Sequence, residues 1–158
     1  MSTRTKPTAR AEIEIDARPE DVYALVSDPG VLAELAGEYT EHRWLGEARG
    51  ARPGARFVGR NRNGSRRWST VATITHADEG SRFAFDVAFG LIQVSRWQYD
   101  LEPTERGCRV VESTWNRSPQ WFRMLVGPFI GVRPDERDVR NQRNIEATLA
   151  ALQRRLAP

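Results

Sequence analysis

Phe83, Phe85, Val87 and Phe89 recur at every second position, and a residue period of two is the signature of a strand with one buried face. The same alternation returns along much of the chain. Ala11 to Asp16 alternates apolar with acidic residues, and Ala55 to Arg62 sets Phe57 and Gly59 against Arg56, Arg60 and Arg62. Arg66 to His76 carries Trp68, Thr70, Ala72 and Ile74 on one side, and Ile92 to Leu101 sets Trp97, Tyr99 and Leu101 against Arg96, Gln98 and Asp100. Cys108 to Trp115 forms a last strand, and His42 to Leu45 a short one before the glycine- and proline-containing connection Gly46 to Gly54. Asn63-Gly64 between two such runs is a hairpin signal, because both residues tolerate positive φ. Asp78-Glu79-Gly80 and Glu102 to Gly107 turn the chain again.

Helical signals sit at two places. After the first strand, Pro19 with Glu20 and Asp21 suits a first helical turn, and the helix stops at Ser27-Asp28-Pro29-Gly30. A second short helix is predicted from Val31 to Leu35. At the C-terminus, Val139, Ile145, Leu149, Leu152 and Leu156 recur at near-helical spacing, predicting an amphipathic helix over Asp135 to Leu156. Before it, Ser118 to Val132 holds Trp121, Phe122, Met124, Leu125, Val126, Phe129 and Ile130, interrupted by Gly127-Pro128. It is expected to form a short helix and bend over a cavity mouth, as a lid or portal. The order is strand, two helices, six antiparallel strands and a long helix, an α+β arrangement. A strongly curved sheet wrapped around that helix satisfies every element and leaves a space between them. Residues 1–9 are expected to be a disordered leader, and 10–158 a single domain.

Composition narrows the function classes. With 39% hydrophobic and 28% charged residues among 158, the chain has the make-up of a globular domain. No apolar run reaches the ~18 residues of a membrane span, so stable membrane insertion is not expected. A polar start without an apolar signal core makes a cytoplasmic location the expectation. The net charge of +3 raises nucleic acid as a partner, but the arginines are scattered among 21 acidic residues. The densest stretch, Arg56 to Arg67, places them on one strand face, the pattern of a solvated outer surface, so nucleic acid is not expected. One cysteine, Cys108, excludes an internal disulfide, and His42 and His76 lie far apart near strand ends, as surface histidines do. No metal-ligand spacing, nucleophile elbow or phosphate-cradling glycine loop is present, so no metal or cofactor is expected.

Several strings, taken with the element order, resemble a known family. They are Ile13-Glu14-Ile15-Asp16-Ala17-Arg18-Pro19-Glu20-Asp21-Val22-Tyr23 with Ser27-Asp28-Pro29, then Gly54-Ala55-Arg56-Phe57, Arg82-Phe83-Ala84-Phe85, Trp97-Gln98-Tyr99-Asp100-Leu101-Glu102-Pro103 and Gly107-Cys108-Arg109-Val110-Val111-Glu112-Ser113. The chain resembles the START-like helix-grip superfamily (SRPBCC), in its polyketide cyclase/dehydrase branch. The resemblance implies a helix-grip fold of about seven strands with a deep central cavity. It leaves activity open, since members range from lipid carriers to cyclases.

Reading strand parity from the arginines places Trp44, Phe57, Asn61, Trp68, Thr70, Phe85, Trp97, Tyr99, Glu112 and Thr114 on the inner face. The residues alone allow either a filled aromatic core or a pocket; the resemblance implies the pocket. Expected ligand contacts are Trp44, Phe57, Asn61, Trp68, Thr70, Phe85, Trp97 and Thr114, with Trp121 and Phe129 from the segment over the mouth. Glu112 stands out as an inward carboxylate whose pKa burial would raise. With Tyr99 it could supply acid/base chemistry to a polyketide-like chain; it could instead contact a ligand, lie exposed at the rim, or hydrogen-bond Tyr99, Trp97 or Trp68 as a structural contact. The expected function is therefore binding of a small hydrophobic ligand, polycyclic or acyl-chain. It comes either with cyclase, aromatase or dehydrase chemistry, or as a non-catalytic carrier or sensor. A third reading is an auxiliary module that docks a partner through Trp121 to Ile130. A monomer or homodimer is expected.

Overall fold

A computed structural model describes residues 5–158. The elements are β1 (Ala9–Ile15), α1 (Pro19–Val26), α2 (Pro29–Leu35), β2 (Tyr39–Trp44), β3 (Arg56–Asn63), β4 (Arg66–Asp78), β5 (Arg82–Phe89), β6 (Ile92–Thr104), β7 (Gly107–Asn116), α3 (Gln120–Ile130) and α4 (Arg137–Leu156). The seven strands form one antiparallel sheet in the order β1-β7-β6-β5-β4-β3-β2, with α4 packed on it. Of the leader expected over residues 1–9, residues 1–4 lie outside the described residues. Thr8 already bonds Thr114 through its backbone, and Ala9 opens β1.

Local chemistry explains most boundaries. Pro19 begins α1 where no backbone donor is needed, and Glu20 and Asp21 sit at its positive end. Asp28 caps α2, its Oδ1 accepting the Gly30 amide at 2.8 Å. The β3–β4 hairpin turns at Gly64-Ser65, one residue beyond the expected Asn63-Gly64: Asn63 has ordinary negative φ and still pairs with Arg66, and Gly64 supplies the positive φ of +63°. Gly107, at the start of β7, is required by close approach: a Cβ there would lie 2.3 Å from the Ile15 carbonyl oxygen. On the outer face, opposite charges pair across strands. Arg82 Nε donates to Asp100 at 2.7 Å, and Arg96 and Arg117 both reach Asp86 at 3.3 Å.

Three β-bulges curve the sheet, between Tyr39 and Glu41, Ile74 and His76, and Val87 and Ala88. The second turns both Thr75 and His76 toward Arg96, whose guanidinium donates to Thr75 Oγ1 at 2.9 Å and lies 3.3 Å from His76 Nδ1. His76 is therefore half-buried in a polar network. His42, also half-buried, stands edge-on to Trp44 and Phe57. Neither is the free surface histidine that its position near a strand end suggests.

The core gathers Val22 and Val26 of α1, Phe83, Leu101 and Val110 of the sheet, and Ile145, Leu149 and Leu152 of α4. Val139 departs from the expected stripe and is exposed. α4 begins at Arg137, and its first turns lie beside a cavity, so polar Asn141 and Thr148 are buried there instead. The apolar stripe thus serves the core, and a different face of the helix closes the cavity. α3 runs through Pro128 and ends at Gly131, whose φ of +72° reverses the chain. The bend expected at Gly127-Pro128 is displaced to Gly131 because proline is confined to the last helical turn. There its missing donor affects only the carbonyl of exposed Met124.

Candidate functional site

A cavity of about 380 Å³ lies between the inner face of the sheet, α3 and the first half of α4. That volume falls within the ~300–1,000 Å³ typical of small-molecule pockets. Its floor is apolar: Phe57, Trp68, Ala72, Phe85, Val87 and Trp97 come from β3 to β6 by alternation, so one parity of each strand builds one wall. α3 contributes Phe122, Val126, Gly127, Phe129 and Ile130, and the end of α2 contributes Leu32. The remaining wall is polar, made by Arg137, Asn141, Asn144 and Thr148 of α4 at helical spacing. At its edge Arg137 pairs with Glu38 at 3.1 Å, and Asn144 donates to the same carboxylate at 3.4 Å. This partly buried ion pair ties α4 to the segment leading into β2.

Phe57, Asn61, Trp68, Thr70, Phe85, Trp97, Tyr99, Glu112 and Phe129 are brought together around this space. Asn61 Nδ2 donates to Thr70 Oγ1 at 3.4 Å, so these two polar groups partly satisfy each other. Trp44, Thr114 and Trp121 do not line the cavity. Trp44 stacks edge-on to Phe57 at 5.5 Å, filling space toward the sheet edge. Thr114 is fully buried, and its hydroxyl donates to the Arg96 carbonyl at 2.8 Å. Trp121 lies on the exposed face of α3. The residues that alternation could not reveal are Tyr39, Phe122, Arg123, Asn141, Asn144 and Thr148. Only the last three left a sequence signal, a polar row at helical spacing beside the apolar stripe.

Glu112 is the electrostatic centre of the site. It is 2% exposed and faces Tyr99 directly across the β6–β7 ladder. The Tyr99 hydroxyl donates to Glu112 Oε1 at 2.8 Å, whereas Oε2 is buried with no hydrogen-bond partner among the described residues. Burial pushes the Glu112 carboxyl up to about 8, against a smaller lowering by the Tyr99 hydrogen bond. Near neutral pH the group is therefore mostly a neutral acid. Since Oε1 already accepts the tyrosine hydrogen, the carboxyl proton belongs on Oε2, as a donor. The Tyr99 phenol is held well above its usual range, first by burial and then by the adjacent Glu112 carboxylate, so it serves as a donor and not as a base. Tyr39, also on the cavity wall, carries a buried hydroxyl without a partner among the described residues, and burial raises its pKa as well. Among the described residues no three His, Cys, Asp or Glu side chains gather as a metal set, and no helix is long and apolar enough to cross a membrane.

A curved antiparallel sheet closed by a C-terminal helix over an internal, largely apolar cavity defines the helix-grip class of folds. Within it, the chain belongs to the family described as polyketide cyclase/dehydrase and lipid transport, whose model matches residues 6–157. Membership implies a hydrophobic ligand. The chain is similar to the Polyketide_cyc-like protein Cgl2372 of Corynebacterium glutamicum, with 31% identity, a TM-score of 0.64, and coverage of 96% of this chain and 92% of that one. It also resembles protein CV1439 of Chromobacterium violaceum at 16% identity and a TM-score of 0.66, covering 94% and 96% of the two chains. The di-domain ARO/CYC StfQ of the steffimycin biosynthetic pathway superposes with a TM-score of 0.67 at 11% identity, over 92% of this chain and 48% of that one. At such identities the last two likenesses concern the fold alone. No curated protein matches the chain.

Proposed function

We infer that the protein binds a small hydrophobic molecule, polycyclic or acyl-chain, that also carries oxygen functions. The observation that carries this reading is Glu112 Oε2, a buried, unpartnered carboxyl oxygen at the wall of an apolar cavity. An unsatisfied buried polar atom costs roughly 1–3 kcal/mol, which a ligand carbonyl or ether oxygen would recover by accepting its proton. The aromatic floor suits the ligand's apolar body, and Asn141 and Thr148 offer an amide and a hydroxyl to further oxygens. Native mass spectrometry of the purified protein tests the reading: a co-purifying molecule of this class is expected. Absence of any such molecule, together with no displacement of a hydrophobic probe, overturns it.

Cyclase-like chemistry is the enzymatic form of the same reading. Glu112 would protonate the electrophilic carbonyl oxygen of a poly-β-keto chain as a methylene carbon attacks it. The proton lost by the methylene would return to the carboxylate, leaving no net change. Glu112→Gln is then expected to abolish ring closure while binding persists. Unchanged turnover would leave the carrier or sensor role.

A further inference from the structure

α3 has two faces with opposite fates. Phe122, Val126, Gly127 and Ile130 turn inward onto the cavity, and Phe129 stands at its rim, touching the cavity while its outer side is exposed. Trp121, Met124, Leu125 and Phe129, at spacing i, i+3, i+4 and i+8, are 56–77% exposed. Four large apolar side chains on one exposed helical face are more than scattered surface hydrophobicity. Two hairpin tips flank this helix at the same end of the sheet. At its start, Phe122 packs against Phe89 with ring centres 5.7 Å apart, and beyond Phe89 the β5–β6 tip presents Leu91, fully exposed. At its end, Asn63 of the β3–β4 tip donates to the Ile130 carbonyl at 2.7 Å. That tip carries exposed Arg62, Arg66 and Arg67, none of which has an acidic partner among the described residues.

The three segments that form this end carry positive charge only; the nearby acids are already paired, Glu41 with Arg60 and Asp135 and Glu136 with Arg133. Arg60 to Arg67, Phe89 to Gln93 and Ser118 to Ile130 together contain arginines and no acidic residue. The turns at the opposite end of the sheet mix Asp78, Glu79 and Glu105 with Arg82 and Arg106. An exposed apolar helix face bordered by unpaired arginines matches an interface with anionic headgroups over acyl chains, and an apolar groove on a protein partner would not call for the cations.

We propose that this end of the molecule, α3 with the β3–β4 and β5–β6 tips, docks peripherally on an anionic lipid surface. Leu91, Trp121, Met124, Leu125 and Phe129 enter the acyl boundary, and Arg62 and Arg66 meet the phosphates. Docking there sets the wall of the cavity formed by α3 against the bilayer, so a hydrophobic ligand passes between the two without crossing water. The docking itself does not depend on what the cavity holds.

Co-sedimentation of the full chain with vesicles tests the proposal, using phosphatidylcholine alone and an equal mixture of phosphatidylcholine and phosphatidylglycerol. Binding to the mixed vesicles, weakened by added salt, is the expected result. Arg62→Gln with Arg66→Gln is expected to weaken it about 25-fold, at about fivefold per arginine. Leu91→Ser with Met124→Ser and Leu125→Ser, all exposed and outside the cavity lining, should weaken it by about tenfold or more. Should the triple variant fold poorly by circular dichroism, the arginine pair carries the same test. No binding of the wild type to mixed vesicles at low salt, or equal binding by wild type and arginine variant, overturns the proposal. So does a wild-type dimer that the serine variant converts to monomer, since a second copy then covers the face.

Discussion

Tyr99 and Glu112 are direct cross-strand partners, joined by a 2.8 Å hydrogen bond that satisfies only one of the two carboxyl oxygens. The half-satisfied state makes this pair both a cost to the fold and a feature a ligand can use. A fully paired carboxylate would be tied up within the protein, and a fully exposed one would be ionised and hydrated.

Stability should therefore fall with rising pH in a way that Glu112 controls. Its folded-state pKa, about 8, lies above its ordinary 4.5. Between those values the native state holds a proton that the unfolded state has released, so the contribution is fully present below 4.5 and lost by about 8. The full difference corresponds to on the order of 5 kcal/mol. Glu112→Gln lacks this slope. Urea titrations from about pH 5 to about pH 8.5 should show the variant gaining on the wild type as pH rises. Parallel curves would place the titration of Glu112 outside this range.

Tyr99→Phe removes the donor to Oε1 and leaves the whole carboxyl unpartnered. A loss of about 1–3 kcal/mol is expected in chemical denaturation. The same change removes the influence that lowers the Glu112 pKa, so the pH at which stability levels off should move upward. A leveling point that moves downward would contradict the assigned direction of the hydrogen bond.

As a lid, α3 should exchange its amides faster than β7. Its outer face is exposed, and it has few partners beyond β4 and the two hairpin tips, whereas β7 pairs on both edges with β1 and β6. Hydrogen exchange read by mass spectrometry decides this. Protection of α3 equal to that of β7 would exclude opening of the cavity through this helix.

Gly107→Ala should be among the most disruptive single changes. The added Cβ would meet the Ile15 carbonyl oxygen at 2.3 Å and the Ala17 nitrogen at 2.7 Å, both backbone atoms that cannot step aside singly. A destabilisation of roughly 3 kcal/mol or more is expected, visible as a lower melting temperature.

Element order, hairpin positions and the inner parity of most strands follow from sequence, because alternation, Asn63-Gly64 and Pro19 act over a few residues. That range was enough to turn Glu112 and Tyr99 to the inner face, but the register that sets them directly opposite each other came from the sheet. It was not enough for the polar wall of α4: Asn141 and Thr148 are buried on the helix face that lines the cavity, beside the apolar stripe that packs in the core. Nor could it place Thr114, whose hydroxyl turns to a neighbouring strand's carbonyl, or Trp121, whose helix faces outward. The Glu38–Arg137 pair joins residues 99 positions apart, and no local pattern encodes such a contact. The sequence by itself determined which residues alternate, turn and cap, since those preferences belong to the chain's own backbone. Only the tertiary structure decided that Glu112 keeps one oxygen unpaired beside a cavity and that α3 shows four apolar side chains to the outside. Both depend on how far apart the curved sheet holds the two helices that cover it.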